Sequence, residues 1–270
     1  MEFGGWRRGL GVKLIALDLD GTLLNSRGVV SERTAEALKA AHRAGIVVAP
    51  ATARWYQAAV RPFASLGFTP PAIAAAGADV RTAEGHVVEQ AFLDEAFSVF
   101  LAELCDRLGW TATLSTPERA YRRANELPPW AANAPEWLRP VTSLRDVDPR
   151  TVLSVLAETA ADDAWEPELE AWRDRVSVYS AVSFAGDAML TVSPPGVDKG
   201  TALRALCRDL GIDPAEAVAV GDSEVDVPMF RVAGMSVAMG DAADEAKAVA
   251  THRTGTADED GVATVIEGLL

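Results

Sequence analysis

Short apolar runs that stop abruptly at polar residues, alternating with helix-length amphipathic stretches, occupy both ends of this chain. Leu14-Ile15-Ala16-Leu17 stops at Asp18, Ile46 to Ala49 leads to Thr52, and Ala72 to Ala76 is a third such run. Between them Ser31 to Ala44 reads as a helix, with Ser31 as its cap, Glu32 in its first turn and Gly45 as its stop. Trp55 to Leu66 reads as another, broken near Pro62. The alternation resumes after Ser193-Pro194-Pro195-Gly196, with a helix over Lys199 to Leu210 closed by Gly211 and a strand over Ala217 to Val220 ending at Gly221-Asp222. A helix over Val225 to Val232, a strand over Ser236 to Met239 and a helix over Asp241 to Val249 follow. Strands alternating with helices predict a parallel sheet covered on both faces, a doubly wound, Rossmann-like α/β core.

The middle of the chain follows a different rule. Asp79 to Thr82 and His86 to Gln90 flank Glu84-Gly85 as a hairpin, and from Asp94 the residues Phe97, Phe100, Leu101, Leu104 and Leu108 recur at helical spacing. Pro117 to Pro149, rich in Pro, Arg and Trp, has no clear period. Thr151 to Ala157 and Val176 to Phe184 read as strands with a helix near Trp165 to Arg173 between them, and Gly186-Asp187 turns into Ala188 to Ser193. The predicted organisation is a core made of residues 1–91 and 191–270, interrupted by a smaller α/β cap over 92–190. The chain crosses between the two near Gln90 to Leu93 and Ser193 to Val197, and the second crossing is rich in Pro and Gly.

Ligands of open α/β sheets bind beyond the carboxyl ends of the strands. Asp18 and Asp20, then Thr52, then Lys199, then Asp222 and Asp226 fall at such ends. Any one of them alone is an ordinary turn residue or helix cap. Together they concentrate carboxylates in a poorly solvated place, which is costly without a bound cation or a retained proton. Oxygen donors with no His or Cys among them select Mg²⁺ over Zn²⁺.

Composition narrows the partners. A formal net charge of −14 argues against nucleic acid and against anionic membranes, yet leaves a small phosphate ester possible, since a pocket needs only local positive charge. Two cysteines, Cys105 and Cys207, are too few for a disulfide scaffold and predict reduced thiols in a cytoplasmic protein. His42, His86 and His252 are far apart and not at metal-ligand spacing. Met1 to Leu10 lacks the apolar run of a signal peptide, and no segment approaches the length of a transmembrane span.

Asp18-Leu19-Asp20-Gly21-Thr22-Leu23-Leu24 resembles the first motif of the haloacid dehalogenase superfamily. Thr52 in Ala51-Thr52-Ala53-Arg54, Lys199 in Gly196-Val197-Asp198-Lys199-Gly200, and Gly221-Asp222-Ser223-Glu224-Val225-Asp226 resemble the second, third and fourth. Met239-Gly240-Asp241-Ala242 and Glu259-Asp260-Gly261-Val262-Ala263 are similar to pieces of its Cof-type, sugar-phosphatase-like branch, whose α/β cap lies between the second and third motifs. The resemblance implies a phosphoric monoester hydrolase acting on a small phosphorylated metabolite, with Asp18 as nucleophile and Asp20 as acid and base. Thr52 and Lys199 would hold the phosphoryl oxygens. Mg²⁺ would sit on the Asp18 carboxylate, the Asp20 backbone carbonyl and Asp222, with Asp226 behind them. A phosphosugar mutase and a phospho-ligand binding module with little turnover are the alternatives.

Three departures stand out. Ala53 and Ala76 replace the usual Gly and Asn, and Val225 replaces an Asn. The latter two remove amides that would orient phosphate or neighbouring loops. In the cap, Arg119, Arg122, Arg123, Trp130 and Trp137 are candidates for contact with the leaving group, with a solvated arginine face beside tryptophan anchors as the plainer expectation for most of them.

Overall fold

The computed structural model describes residues 11–127, 129–159, 166–182 and 188–270. Expectations that fall on residues 1–10, on Trp165, on 183–187 or on the Trp130 side chain lie outside the described residues.

The chain begins with β1 (Leu14–Leu17), α1 (Glu32–Arg43), β2 (Val47–Pro50) and α2 (Tyr56–Val60). The Ser31 hydroxyl accepts the Thr34 N–H and so caps α1. After α2, Arg61-Pro62-Phe63 tightens into a 3₁₀ turn, because Pro62 has no N–H to continue the ladder. The next strands, β3 (Ala72–Ala74), β4 (Asp79–Arg81) and β5 (Val87–Gln90), form an antiparallel sheet of their own. The third apolar run therefore does not enter the parallel sheet as a full strand, and a single bridge, Ala51 to Ile73, links it to the segment after β2. The reason is local: Ala75, Ala76 and Gly77 all take positive φ and turn the chain back into β4.

Then come α3 (Glu95–Leu108), β6 (Thr111–Ser115), β7 (Ala120–Arg123), β8 (Leu138–Val141), β9 (Ser154–Thr159), α4 (Glu166–Glu170), β10 (Ser177–Val182) and β11 (Ala188–Ser193). Their strands build a six-stranded sheet in the order β10-β11-β9-β6-β7-β8. One face packs on α3, where Phe97, Leu101 and Leu104 meet Ala112, Leu114, Val155 and Val192 in a core separate from that of the parallel sheet. Sequence periodicity missed β6, β7 and β8. In β7 the inward position opposite Ala112 is Arg123, a buried cation that bonds Asp106 and the Trp110 carbonyl, so no apolar alternation is visible.

The remaining elements are α5 (Lys199–Leu210), β12 (Ala217–Gly221), α6 (Val227–Val232), β13 (Met235–Ala238), α7 (Asp244–Val249), β14 (His252–Arg253) and α8 (Gly261–Leu269). They complete a five-stranded sheet in the order β14-β13-β12-β1-β2, parallel at every pairing. β1 lies in its centre, with Leu14 opposite both Ala217 and Val47. All four of its residues are buried, as expected of a parallel strand covered on both faces. The architecture is a Rossmann-like α/β core with a smaller α/β domain inserted into it. Among the described residues no helix is long and apolar enough to cross a membrane.

Candidate active site

The carboxyl ends of β1, β2 and β12 and the amino end of α5 converge, and each brings a polar side chain. Asp18 follows β1 directly and is almost fully buried. Lys199, the first residue of α5, is equally buried, and its Nζ donates to Asp18 Oδ1 and to Asp226 Oδ1, both at 2.6 Å. Asp198 holds that end of α5 in register by accepting the N–H groups of Gly200 and Thr201. Gly77 lets the turn after β3 approach it, since a Cβ there would lie 2.4 Å from the Asp198 carbonyl oxygen.

Asp226 is fully buried and organises the loop after β12. Its Oδ2 accepts the N–H groups of Asp222 at 2.9 Å and Ser223 at 3.0 Å, and the Ser223 hydroxyl at 3.1 Å. Gly221 leaves room for this, because a Cβ there would fall 2.4 Å from the Asp226 carboxyl carbon. The carboxylate that an amide at position 225 would have braced is thus saturated by Lys199, the loop backbone and Ser223. Asp222 in turn accepts from the Thr22 hydroxyl at 3.2 Å.

Oxygens of Asp18, Asp222 and Asp226 all lie within 4.8 Å of one another. Burial lifts the Asp18 carboxyl from its ordinary 3.8 to about 7, with Lys199 opposing and the charges of Asp226 and Asp20 adding. Burial, then the charges of Asp18 and Asp226, lifts Asp222 to about 9. Burial alone would lower the Lys199 ammonium, but its two carboxylate partners outweigh that and raise it. Once those retained protons are lost, three carboxylates against one ammonium leave an uncompensated negative site built of hard oxygen donors. That donor set and charge fit a divalent cation such as Mg²⁺.

Asp20 stands apart from this cluster. Its carboxylate is half exposed and both oxygens are forked by Arg54, with Nε donating at 2.8 Å and Nη2 at 2.5 Å. Sequence reasoning gave Arg54 no role, although it sits two residues after Thr52. Thr52 is buried, and its hydroxyl accepts the Arg54 N–H at 3.2 Å. Ala76 donates its N–H to the Thr52 carbonyl at 3.0 Å. Its φ of +57° is the left-handed region where Asn would be comfortable and Ala is strained. Ala53 is not among the residues with positive φ, so the methyl it adds relative to Gly costs nothing there.

The cap candidates divide. Arg123 is a core residue of the inserted domain, and Arg122 faces the other side of its sheet, bonded to Glu158 at 2.7 Å. Arg119 is half-buried, and its backbone N–H and carbonyl both bond the Thr116 hydroxyl. Trp137 stacks on Trp55 with ring centroids 5.7 Å apart, and Trp55 Nε1 donates to the Thr116 carbonyl at 2.6 Å. Close by, Arg81 pairs with the fully buried Asp79 at 2.9 Å and donates to the Pro117 carbonyl at 2.9 Å.

Residues 15–266 match the haloacid dehalogenase-like hydrolase family. The phosphatase YwpJ of Bacillus subtilis is 30% identical over 293 residues, covering 96% of this chain and 100% of that protein. The 5-amino-6-(5-phospho-D-ribitylamino)uracil phosphatase YcsE of the same organism is 29% identical over 260 residues, covering 96% of each. The structure of a haloacid dehalogenase-like hydrolase from B. subtilis superposes with a TM-score of 0.83 at 26% identity, over 96% of this chain and 100% of that one.

Proposed function

Because the chain belongs to the haloacid dehalogenase-like hydrolases, and is with them a phosphoric monoester hydrolase, we propose that it cleaves small phosphorylated metabolites through an aspartyl-phosphate on Asp18. The observation that carries this reading is the buried Asp18–Lys199 contact of 2.6 Å at the end of the central strand. It presents one carboxylate oxygen beside a cation able to receive a phosphoryl group.

In this reading the Asp18 carboxylate attacks phosphorus in line, and the bond between phosphorus and the ester oxygen breaks. Asp20 gives its proton to the departing oxygen. In the second half it takes a proton from water, whose oxygen attacks the phosphorus and returns Asp18 as a free carboxylate with release of inorganic phosphate. Both Asp20 oxygens are occupied as acceptors by Arg54, so donating a proton requires that fork to open. Lys199 and the Thr52 hydroxyl hold the non-bridging oxygens. The Asp18 and Asp222 carboxylates and the Asp20 backbone carbonyl would hold Mg²⁺, with Asp226 fixing the loop behind them. When bound, the cation neutralises these carboxylates and offsets the charge of the incoming phosphate.

We assign residues 92–190 to a cap that covers this site and 1–91 with 191–270 to the catalytic core, and we place the enzyme in the cytoplasm. The cap assignment is supported by the separate apolar core over this stretch. Phosphate release from a panel of phosphorylated metabolites, with Mg²⁺ and with excess chelator, tests the reading. It expects release that chelator stops and Mg²⁺ restores; release undiminished in chelator contradicts the metal, and no release from any ester contradicts the phosphatase.

A further inference from the structure

Two donors of the core hold consecutive backbone carbonyls of the turn between β6 and β7. Trp55 Nε1 donates to the Thr116 carbonyl at 2.6 Å, and Arg81 Nη2 donates to the Pro117 carbonyl at 2.9 Å. The donors come from separate elements, the cap position of α2 and the end of β4. Tyr56 joins them, since its ring lies under the Arg81 guanidinium at 4.7 Å. Trp55 is 3% exposed and its ring is stacked on Trp137. A buried indole satisfied by a single carbonyl cannot slide along the turn without losing that partner, so Trp55 moves with the inserted domain or lets go of it.

The residue before Trp55 is Arg54, whose side chain closes on both oxygens of Asp20. The Arg54 N–H donates to the Thr52 hydroxyl at 3.2 Å, and its carbonyl accepts the Ala75 N–H at 2.8 Å. Residues 52–55 lie in no helix or strand, so these contacts, rather than a ladder of backbone bonds, set the shape of the segment. One end of it touches the acid and base of the proposed reaction, and the other end touches the inserted domain. A displacement of Trp55 shifts the root of the Arg54 side chain. A two-bond fork tolerates little displacement, because both N–H directions must fit one planar carboxylate. In this structure the turn is held and the fork is closed together.

We propose that Trp55 is a positioning residue. While the β6–β7 turn is held on it, Arg54 stays on Asp20; release of the turn from Trp55 opens the fork and frees Asp20 to serve the departing oxygen. The docked arrangement is then the resting one, not the one in which the ester is cleaved. This inference rests on the phosphatase reading for the role of Asp20, but not for the coupling between Trp55 and the fork.

The test compares phenyl phosphate with dinitrophenyl phosphate. The departing oxygen of the first takes a proton from Asp20 as its bond to phosphorus breaks, whereas dinitrophenolate leaves as the anion and takes none. Trp55→Phe deletes the bond to Thr116 and keeps most of the stack. It is expected to raise the ratio of kcat/KM for phenyl phosphate over dinitrophenyl phosphate by about 2–10-fold, the worth of one neutral hydrogen bond. Arg54→Met should raise the same ratio at least as far. In that background Trp55→Phe should add nothing, because the fork through which it acts is gone. A purely structural loss lowers both esters alike and leaves the ratio where it was. That result, a fall in the ratio, or two effects that multiply would overturn the proposal. NMR gives a parallel reading without turnover. The Arg54 Nε–H signal, assigned by its absence in Arg54→Met, should exchange with water about 2–10-fold faster in Trp55→Phe. Unchanged exchange would overturn the coupling whatever the activity. Faster exchange in a protein that releases neither phenol would leave the coupling standing and overturn the phosphatase.

Discussion

Lys199 stands between two buried carboxylates, and a third, Asp222, is left to the solvent-facing side of the cluster. Asp18→Asn is expected to abolish phosphate release by several orders of magnitude with the fold retained, because an amide cannot form the acyl phosphate. Steady-state assay beside circular dichroism checks both halves. The same cluster sets a pH dependence. Asp18 and Asp222 hold protons more tightly folded than unfolded, so the metal-free protein should lose stability as pH rises from 3.8 through about 9. Lys199, whose value is raised, keeps its contribution whole below 10.5 and loses it only above, so it does not alter that slope. A cation competes with these protons, and the gain in Tm from Mg²⁺ should be larger at about pH 8.5 than at about pH 5. Equal gains at both would remove the carboxyls from the metal site. The strand-end residues Asp18, Thr52 and Asp222 were legible in the sequence because an apolar run ending in a polar residue marks that place. Arg54 was not legible, because its partner Asp20 is 34 positions away and only the packed loop brings the two together.

Among elements, the small antiparallel sheet carries a buried ion pair, whose carboxylate also accepts from Gln90 Nε2 at 2.9 Å. Arg81 offsets the fully buried Asp79 and also reaches the Pro117 carbonyl. Arg81→Met should leave that buried charge with only the neutral Gln90 amide and cost about 3–5 kcal/mol, measurable by urea unfolding. Asp79→Asn combined with it should recover part of the loss, since the stranded charge is gone. At the turn before β4, Ala76→Gly relieves a left-handed alanine, worth about 1 kcal/mol, against a comparable entropic cost of glycine, so a near-neutral change is expected. The helices α1 and α5 were legible from cap and stop residues, Ser31 and Gly211 among them, and α3 from the helical spacing of its apolar residues. β7 was hidden because its inward residue is Arg123, paired with Asp106 where an apolar side chain is expected. β3 was assigned to the wrong sheet because the turn at Ala75 and Ala76 uses φ values that alanine does not advertise.

For the molecule as a whole, one contact between the two sheets' domains is made by Trp55, which stacks on Trp137 and bonds the Thr116 carbonyl. Trp55→Phe keeps most of the stack and deletes the bond. Hydrogen exchange at Ser115 to Arg119 should then quicken by about 2–10-fold, the factor expected for one lost hydrogen bond. Unchanged exchange would mean that Arg81 holds the segment unaided. The parallel core was legible from its alternation on both sides of the insertion, whereas the way the inserted sheet leans on the core depends on side-chain contacts that no period encodes. One further consequence comes from the central place of β1, whose neighbours are β2 and the much later β12. Asp18 meets Lys199 across 181 positions, and Thr22 meets Asp222 across 200. On a ribosome adding roughly 5–20 residues per second, β1 therefore waits about ten seconds or more with one flank uncovered. The six-stranded sheet, made from one continuous stretch, emerges complete in the meantime. The contact between Asp18 and Lys199 then forms only once α5 has emerged, and a nascent chain released before β12 carries Asp18 without its later neighbours.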